Sequence, residues 1–273
     1  MVSIIIVNYN SGDLLRACLA SLKKFVTVPF EVIVVDNDSR DSSLQGLPDV
    51  NGLNVILAKE NLGFPRGCNL GANAARGAVY HFLNPDSEVT ENINECYLQA
   101  LNEKEQCIYV TRILNTRNNS ERSSHPLPTL SNIFRMFFQP AHVDRWYIGA
   151  SIVISRALFD RLGGWSTEYF MYMEDTDLFY KAKLKGVRTV ETQSLIVHHQ
   201  GGVSRQVWSE RQRLEKVERS AFIFARKFNL RLDYFAFKHL SFLKIVWREP
   251  AAALLGLYVY WREFVLQLTA SGR

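Results

Sequence analysis

Two runs of almost uninterrupted apolar, largely β-branched residues constrain the fold of this 273-residue chain more than any other feature. The first run covers residues 2–7 and the second covers residues 30–35, and a polar turn follows each of them directly. Strands that helices cover on both faces have this composition, whereas strands with one wet face alternate between apolar and polar residues. We therefore expect a parallel sheet with helices on both sides.

The remaining pattern extends this prediction along the chain. Further strands fit residues 53–58 and 79–83, and helical spacing of apolar residues separates the strands, which indicates a mostly parallel α/β fold. Residues 113–140 are rich in Asn, Arg, Ser and Pro and predict a long loop, which we interpret as a lid over a binding site. A helix is expected at residues 174–185, and the chain is expected to be helical beyond residue 202.

Polar residues stand at the ends of three of the predicted strands. In open α/β sheets, ligands bind beyond the carboxyl ends of the strands, and in a parallel sheet these ends share one edge. One polar turn is weak evidence, but three on one edge predict a binding site. Its first candidate residues are Asn8, Asn10, Asp36, Asp38, Asn84 and Asp86.

Glycine spacing argues against two common nucleotide-binding classes. A dinucleotide-binding fold needs G-x-G-x-x-G after its first strand, but only Gly12 follows that strand here. The glycine-rich segment 63–71 follows the third strand instead and has a different spacing. The P-loop pattern G-x-x-x-x-G-K-[ST] is absent from the sequence, which excludes that class.

The ordered set of short motifs resembles family 2 glycosyltransferases, and its order is similar to the rhamnosyltransferase-like branch that builds bacterial surface polysaccharides. The resemblance covers roughly residues 2 to 204. The motifs are Val-Asn-Tyr-Asn at 7–10, Val-Asp-Asn-Asp-Ser at 35–39, Asn-Leu-Gly-Phe at 61–64 with Asn69, Leu-Asn-Pro-Asp at 83–86, Gly149-Ala150, Gly163-Gly164-Trp165, Glu174 to Leu178, and Val-His-His at 197–199.

The resemblance implies a GT-A fold, which is a Rossmann-like mixed α/β sheet of nucleotide-diphospho-sugar transferases, here with a C-terminal helical extension. We expect a catalytic domain at residues 1–204 and the extension at residues 205–273. The implied reaction is inverting transfer of a sugar, with rhamnose from dTDP-rhamnose as one expectation. The implied acceptor is a hydroxyl of a bacterial surface polysaccharide or of a lipid-linked glycan.

The resemblance also implies a divalent cation, Mg²⁺ or Mn²⁺, that bridges the donor phosphates. The family usually supplies D-x-D after the fourth strand, whereas this chain has Asn84-Pro85-Asp86 with one carboxylate fewer. Asp86 is therefore the expected ligand, and Asn84 is expected to coordinate weakly or to contact the ribose or diphosphate. The family's returning histidine matches His198, which we expect to be the second ligand.

The donor is expected to be a dTDP- or UDP-sugar, because the family's carboxylate at Asp36 accepts the imide N–H that uracil and thymine share. Asp38 is an alternative contact for the base. The other residues that the resemblance assigns to the donor are Asn8, Asn10, Asn61, Gly63, Arg66, Asn69 and Asn84. Arg66 is equally consistent with a solvated charge on its helix.

Inverting transfer needs a base that removes the acceptor's proton, and it needs no protein nucleophile. By motif match Asp175 is the base, and Glu174 orients the acceptor or the donor. Acidic residues also favour the first turn of any helix, which could explain one or two of them. Asp177 is expected to be structural.

The basic, aromatic-rich tail after residue 204 is typical of a segment at a membrane surface or at a subunit contact. Peripheral contact with a membrane, a homodimer and packing on the catalytic domain stay open, and no nucleic-acid partner is expected. The chain opens directly into a strand, so we expect a cytoplasmic protein. A peripheral place at the inner face of the cell membrane is the open option that the tail adds. The alternative function is a non-catalytic protein of the same fold that binds sugar nucleotides or carbohydrate.

Overall fold

The computed structural model describes residues 1–90, 92–102, 107–115, 119–121, 123–198, 208–246 and 255–264. The strands are β1 (Val2–Asn8), β2 (Phe30–Asp36), β3 (Leu53–Leu57), β4 (Val79–Leu83), β5 (Ser87–Val89), β6 (Cys107–Asn115), β7 (Ser120–Glu121), β8 (Ser124–Pro126), β9 (Arg145–Tyr147), β10 (Ser151–Ser155) and β11 (Arg188–His198). The helices are α1 (Asp13–Phe25), α2 (Phe64–Ala74), α3 (Ile93–Asn102), α4 (Leu130–Phe138), α5 (Arg156–Leu162), α6 (Glu174–Leu184), α7 (Glu210–Lys227), α8 (Arg231–Val246) and α9 (255–264).

One mixed sheet organises the described residues, in the order β3-β2-β1-β4-β10-β6-β11-β5, with β7 at the side of β6. Strands β1 to β4 run parallel to one another, as the sequence predicts. Strand β10 is antiparallel to both of its neighbours, β4 and β6. Strands β6 and β11 pair in parallel, so the parallel half of the sheet meets a mixed half at β4, and both halves border the turn after that strand.

Helices cover both faces of the sheet, which explains the β-branched runs in its central strands. Side chains of β1 that point to one face, such as Ile4, pack with the buried face of α1 and α3. Side chains that point to the other face, such as Ile5, pack with α2, α5 and α6. Alternate residues of one strand thus enter two separate cores, and every position in the run is buried.

The prediction of one long loop at residues 113–140 is wrong. Strand β6 extends to Asn115, β8 pairs with β9 in a separate two-stranded sheet, and α4 occupies Leu130–Phe138. The hydroxyl of Thr129 caps α4 by accepting from the backbone N–H of Asn132. These elements are short, and their apolar residues do not all face the core, so the periodicity of the sequence does not reveal them.

The helical C-terminal part packs beside α6. The ring of Tyr180 contacts those of Phe224 and Phe228, while Phe222, Tyr234 and Tyr260 form a second aromatic cluster. The sequence predicts a break between the last two helices at Pro250, which lies outside the described residues. In the parts of the chain that the structure describes, no helix combines the length and the apolar character needed to cross a bilayer.

Candidate active site

The parallel register brings the polar strand ends to one edge of the sheet. Asn8 at the end of β1 pairs with Asp36 at the end of β2, and β4 runs parallel to β1 on its other side. The turn that contains Asp86 therefore opens at the same edge as Asn8 and Asp36. This juxtaposition is the one that the sequence predicts.

A buried hydrogen-bond network fixes the Asp36 carboxylate. The side-chain amide of Asn8 donates to Asp36 Oδ1 at 2.6 Å and to Ser43 Oγ at 2.9 Å, and the backbone N–H of Ser39 donates to Asp36 Oδ2 at 3.0 Å. Asn8 is fully buried, and its Oδ1 accepts from the Ser11 hydroxyl. The Asn8 side chain thus holds the Asp36 carboxylate in place. The sequence alone does not predict which serines complete this network.

Asn10 and Asp38 lie in the turns above this network, and both have left-handed backbone conformations, with φ of 51° and 63°. Asn10 Oδ1 accepts from the backbone N–H of Arg40 at 2.7 Å and so ties the β1 turn to the β2 turn. Asp38 is half-buried and lies 3.7 Å from the guanidinium of the exposed Arg40. Asn10 is therefore part of the turn structure, and Asp38 stands at its rim.

The segment from Asn61 to Phe64 forms a tight turn at the start of α2. Asn61 Oδ1 accepts from the backbone N–H of Gly63 at 3.0 Å, and Asn37 Nδ2 donates to the Gly63 carbonyl at 3.2 Å. Gly63 has φ of 76°, and a Cβ atom there would lie 2.3 Å from the carbonyl oxygen of Phe170. Only glycine meets both requirements, so the turn is fixed against the segment that leads to α6.

Arg66 and Asn69 both lie on α2, but Arg66 is at the surface and Asn69 binds a neighbouring turn. Arg66 is exposed, and its Nε donates to the Thr167 carbonyl at 3.4 Å. The side-chain amide of Asn69 donates to the Trp165 carbonyl at 2.8 Å and accepts from the Trp165 N–H at 3.0 Å. Asn69 therefore clamps the Gly164-Trp165 turn, and Arg66 keeps a guanidinium at the surface.

The turn after β4 places Asn84 and Asp86 between two strands. The backbone N–H of Asn84 donates to the Ala150 carbonyl at 2.9 Å, and Asp86 is buried at the start of β5. Strand β5 pairs antiparallel with β11, and in that register residue 198 lies opposite Ser87. The backbone position of His198 is thus next to Asp86 across two paired strands, while its side chain lies outside the described part of the chain.

Asp175 and Glu174 begin α6. The N–H of Gly149 donates to Asp175 Oδ2 at 3.3 Å, and the N–H of Thr176 donates to Oδ1 at 2.7 Å. Glu174 is buried, and its Oε2 has no hydrogen-bond partner among the residues that the structure describes. A buried carboxyl oxygen without a partner is costly, and such groups are found most often at functional sites.

Burial sets the protonation of this pair. Loss of hydration raises the pKa of Asp175 to about 6, and the hydrogen bonds from Thr176 and Gly149 limit the rise. Burial and then the charge of Asp175 raise the pKa of Glu174 well above its usual range. The hydrogen bonds agree with these pKa directions. Two N–H groups donate to the Asp175 carboxylate and stabilise its negative charge, whereas no described residue donates to Glu174 Oε2. The two neighbouring acids therefore differ, since Asp175 is better placed to carry the negative charge and Glu174 to hold a proton.

The residues directly before α6 are strained. Tyr172 and Met173 both have positive φ, at 70° and 67°, which costs about 1–2 kcal/mol for each residue that is not glycine. Helix α7 supports this segment, because Ser220 Oγ donates to the Met171 carbonyl at 2.9 Å and Met173 packs against Ala221. Helix α7 thus helps to fix the start of α6, where Glu174 and Asp175 lie.

One dipeptide, Gly149-Ala150, connects the candidate base with the turn after β4. The N–H of Gly149 binds Asp175, and the carbonyl of Ala150 binds the N–H of Asn84. The motif was visible in the sequence, but these contacts are made by the backbone between distant segments, and residue types do not reveal them. The dipeptide sets the position of the base relative to the turn that carries Asp86.

The donor atoms around the turn fit a hard divalent cation. Asp86 offers carboxylate oxygen, Asn84 offers amide oxygen, and the buried Ser87 Oγ has no hydrogen-bond partner among the described residues. Within the same residues, no three His, Cys, Asp or Glu side chains form a cluster that could hold a metal alone.

Comparison with known sequences places the chain among sugar-transferring enzymes. Residues 3–163 match the sequence model of a family described as glycosyl transferase family 2, which is more than half of the chain. A low-salt glycan biosynthesis hexosyltransferase of Haloferax volcanii, Agl10, is 29% identical over 216 residues, which cover 72% of this chain and 67% of that protein. An N-acetylglucosaminyl-diphospho-decaprenol L-rhamnosyltransferase of Mycobacterium tuberculosis is 23% identical over 233 residues, which cover 72% and 75%.

Solved structures show the same fold. Staphylococcus aureus TarS, solved with UDP-GlcNAc, matches with a TM-score of 0.59 at 18% identity and covers 87% of this chain and 69% of its own. A mannosyltransferase of Pyrobaculum calidifontis, solved with GDP-Man and Mn²⁺, matches with a TM-score of 0.62 at 16% identity and covers 99% and 79%. The expected GT-A fold with a helical C-terminal part is confirmed.

Proposed function

Because the chain belongs to glycosyl transferase family 2, and is thus a glycosyltransferase that uses a nucleotide-sugar donor, we propose that it transfers one sugar with inversion to a lipid-linked glycan. The proposed donor is dTDP-rhamnose. The name of the mycobacterial relative, an L-rhamnosyltransferase acting on a decaprenol-linked sugar, supports both choices. A growing surface polysaccharide is the same kind of acceptor at a later stage of assembly.

The observation that carries the proposal is the link from Asp175 through Gly149-Ala150 to Asn84. Inverting transfer needs a base on the acceptor side and a leaving diphosphate on the donor side, at a fixed separation. The dipeptide binds the candidate base with one peptide N–H and the turn after β4 with the next carbonyl. Such an arrangement would position the acceptor hydroxyl opposite the leaving phosphate.

In the proposed reaction Asp175 removes the proton from the acceptor hydroxyl. With a pKa of about 6 it is ionised at pH 7, yet it is basic enough to take a proton as the new bond forms. Glu174 favours its protonated form, because burial and then the charge of Asp175 raise its pKa and no described residue donates to its Oε2. Its O–H can therefore donate to an oxygen of the acceptor or the donor sugar and orient it.

Asp86, His198 and the donor diphosphate are proposed to hold Mg²⁺ or Mn²⁺, with Asn84 as a weak ligand or a contact to the diphosphate. The bound cation would neutralise the charge that grows on the leaving diphosphate. The register that places residue 198 opposite Ser87 supports this pair of ligands, and the Mn²⁺ in the Pyrobaculum enzyme supports a divalent metal. With one carboxylate at the turn, we expect tight metal binding only when the donor is present.

The other donor contacts are proposed on the edge formed by β1, β2 and α2. Asp36 would accept the base imide, with Asp38 at the rim, and Asn8 would act through Asp36, because its own amide is fully engaged. The remaining contacts are proposed from position. Asn10 and the Asn61–Gly63 turn would lie beside the ribose, Arg66 would offer a surface charge to the diphosphate, and Asn69 would act through the Gly164-Trp165 turn.

We further propose that residues 1–204 form the catalytic domain and that 205–273 form an extension that fixes α6. The proposed location is cytoplasmic, at the inner face of the cell membrane, where a lipid-linked acceptor is found. Alternatively, the extension would form the contact of a homodimer. No described contact favours a non-catalytic role, and the pair of acids at Glu174 and Asp175 argues against it.

Calorimetry with dTDP-rhamnose, UDP-sugars and GDP-sugars, each with and without Mn²⁺, tests the proposal. We expect the thymidine donor to bind most tightly and to need the metal. Asp175→Asn should retain donor binding and lose turnover by about a hundredfold or more, the range for loss of a general base. If no nucleotide sugar bound, or if Asp175→Asn turned over normally, the proposed mechanism would be wrong.

A further inference from the structure

Helix α4 is attached to the protein by its polar side. Asn132 is fully buried, and its amide donates to the carbonyls of Leu127 and Asp144 at 2.9 and 2.7 Å. Arg135 binds the Asp144 carboxylate at 2.6 Å. A surface helix of a globular protein normally buries its apolar face and exposes its polar face. In α4 this orientation is reversed.

The outward side of α4 is a cluster of phenylalanines. The side chains of Phe134, Phe137 and Phe138 are 56%, 65% and 70% exposed, and Leu130 is exposed on the same helix face, one turn before Phe134. The rings of Phe134 and Phe138 lie 4.6 Å apart and form one continuous apolar surface. Exposed apolar patches of this kind mark contact with another protein or with a membrane.

The patch continues onto α8. The backbone N–H of Leu130 donates to the Asp233 carboxylate at 2.7 Å, which places the start of α4 at the start of α8. There Arg231 is exposed and Leu232 is 78% exposed. The surface therefore combines aromatic and aliphatic side chains with one exposed basic side chain, Arg231, at its edge. Several aromatic residues of the tail, such as Phe224 and Tyr260, by contrast pack inward.

Charge distinguishes between the two possible occupants. Residues 205–273 contain 13 Lys and Arg against six Asp and Glu, whereas residues 1–204 contain 19 against 21. The whole positive excess thus belongs to the region that includes α8. A twofold dimer through this patch would bring two positive regions together, which electrostatic repulsion opposes. An anionic bilayer attracts the basic groups and takes up the phenyl rings.

We propose that the Phe134, Phe137 and Phe138 face of α4, together with the start of α8, docks the enzyme onto an anionic membrane surface. The choice of a membrane rests in part on the proposed lipid-linked acceptor. The apolar rings enter the boundary between head groups and acyl chains, and Arg231 contacts the phosphates. Docking there would hold the enzyme at the bilayer in which a lipid-linked acceptor is anchored.

Co-sedimentation with vesicles of phosphatidylcholine, with and without phosphatidylglycerol, tests the proposal. The test variant is Phe137→Ser with Phe138→Ser. The matched control is Leu57→Ser with Leu184→Ser, which replaces side chains that are 67% and 62% exposed on β3 and α6. We expect the full-length protein and the control to bind anionic vesicles, and the test variant to bind about tenfold or more weakly. Added salt should weaken binding of the protein.

A second measurement does not depend on removing the phenylalanines. All four cysteines are buried, so Gln139→Cys offers a single exposed thiol beside the patch for an environment-sensitive dye. A blue shift of the dye on anionic vesicles supports docking through α4. Absence of vesicle binding, equal binding of the two double variants, or no shift of the dye would overturn the proposal. So would a stable dimer that the test variant converts to a monomer.

Nucleotide binding separates this inference from the proposed function. If vesicles bind through α4 but no nucleotide sugar binds, the docking surface stands and the proposed reaction fails. If the donor binds with metal and the vesicles do not bind, the reaction stands and the docking surface fails.

Discussion

The ammonium group of Lys227 lies 2.9 Å from the carboxylate of Asp177, which is fully buried in α6 two residues after Asp175. Asp177 also accepts from the Ser166 hydroxyl at 2.6 Å and pairs with Lys181 at 3.2 Å. Lys227, at the end of α7, therefore helps to neutralise the buried Asp177 of α6, the helix that carries the candidate base. A buried carboxylate needs such partners, because burial without them is costly.

Lys227→Met should destabilise the protein and reduce its turnover. The substitution keeps much of the apolar stem but leaves Asp177 with one cation, and loss of a hydrogen bond to a charged group costs about 1–3 kcal/mol. Thermal unfolding should show a decrease of a few degrees, and kcat should fall because the start of α6 loses support. Lys23→Met, at an exposed position of α1, should change neither quantity measurably. An unchanged melting temperature for Lys227→Met would contradict the buried pair.

Gly63→Ala should be much more harmful than Gly46→Ala, although both glycines have positive φ. Both variants incur the left-handed penalty of about 1–2 kcal/mol. At Gly63 the added Cβ also meets the Phe170 carbonyl at 2.3 Å, whereas nothing lies within 4 Å of it at Gly46. Chemical denaturation should therefore show an additional loss of about 1–3 kcal/mol for Gly63→Ala, the usual cost of overpacking.

Donor affinity gives the second readout of this pair of variants. Movement of the Asn61–Gly63 turn should weaken donor binding in Gly63→Ala, and Gly46→Ala should bind the donor as the unmodified protein does. Equal stability of the two variants would show that the turn is not fixed against Phe170.

The sequence predicts the parallel half of the fold well, because the signal is local. Runs such as residues 2–7 are buried on both faces, and their composition needs no knowledge of the rest of the chain. The shared edge of Asn8, Asp36 and Asp86 then follows from parallel pairing. Helix α4 was missed for the opposite reason, since it buries Asn132 and exposes its phenylalanines, which makes the usual amphipathic pattern misleading.

The contacts that hold the candidate site in place join segments far apart in the sequence, so local sequence patterns do not predict them. Gly149 reaches Asp175 through a backbone N–H, and Lys227 reaches Asp177 from 50 residues further along the chain. The role of Asn8 is a similar case. Its position at a strand end predicts a ligand contact, and only the packing of Ser11, Ser39 and Ser43 shows that its amide is already engaged.

The rate constant kcat/KM should decrease as pH falls through about 6. Asp175 acts as a base only when it is ionised, and burial raises its pKa to about 6. Below that pH the rate should fall about tenfold for each pH unit, and it should be level between pH 7 and 8. Initial rates with a short soluble acceptor, with the metal and donor held at fixed concentrations, measure this profile. A profile level down to pH 4 would exclude Asp175 as the base.

Glu174→Gln should stabilise the protein at alkaline pH while it lowers turnover. Burial raises the pKa of Glu174 in the folded state, so the folded chain holds a proton at pH values where the unfolded chain has lost it. The stability that this proton contributes is complete below the ordinary pKa of a glutamate and is lost as pH rises through the raised pKa. Glutamine is neutral throughout, so its stability advantage over glutamate should be larger at pH 8 than at pH 5. Melting temperatures at pH 5 and pH 8 measure the change, and Glu60→Gln at an exposed position should show none. If Glu174→Gln were less stable than the unmodified protein at both pH values, Glu174 would be a structural anchor rather than a strained group held for catalysis.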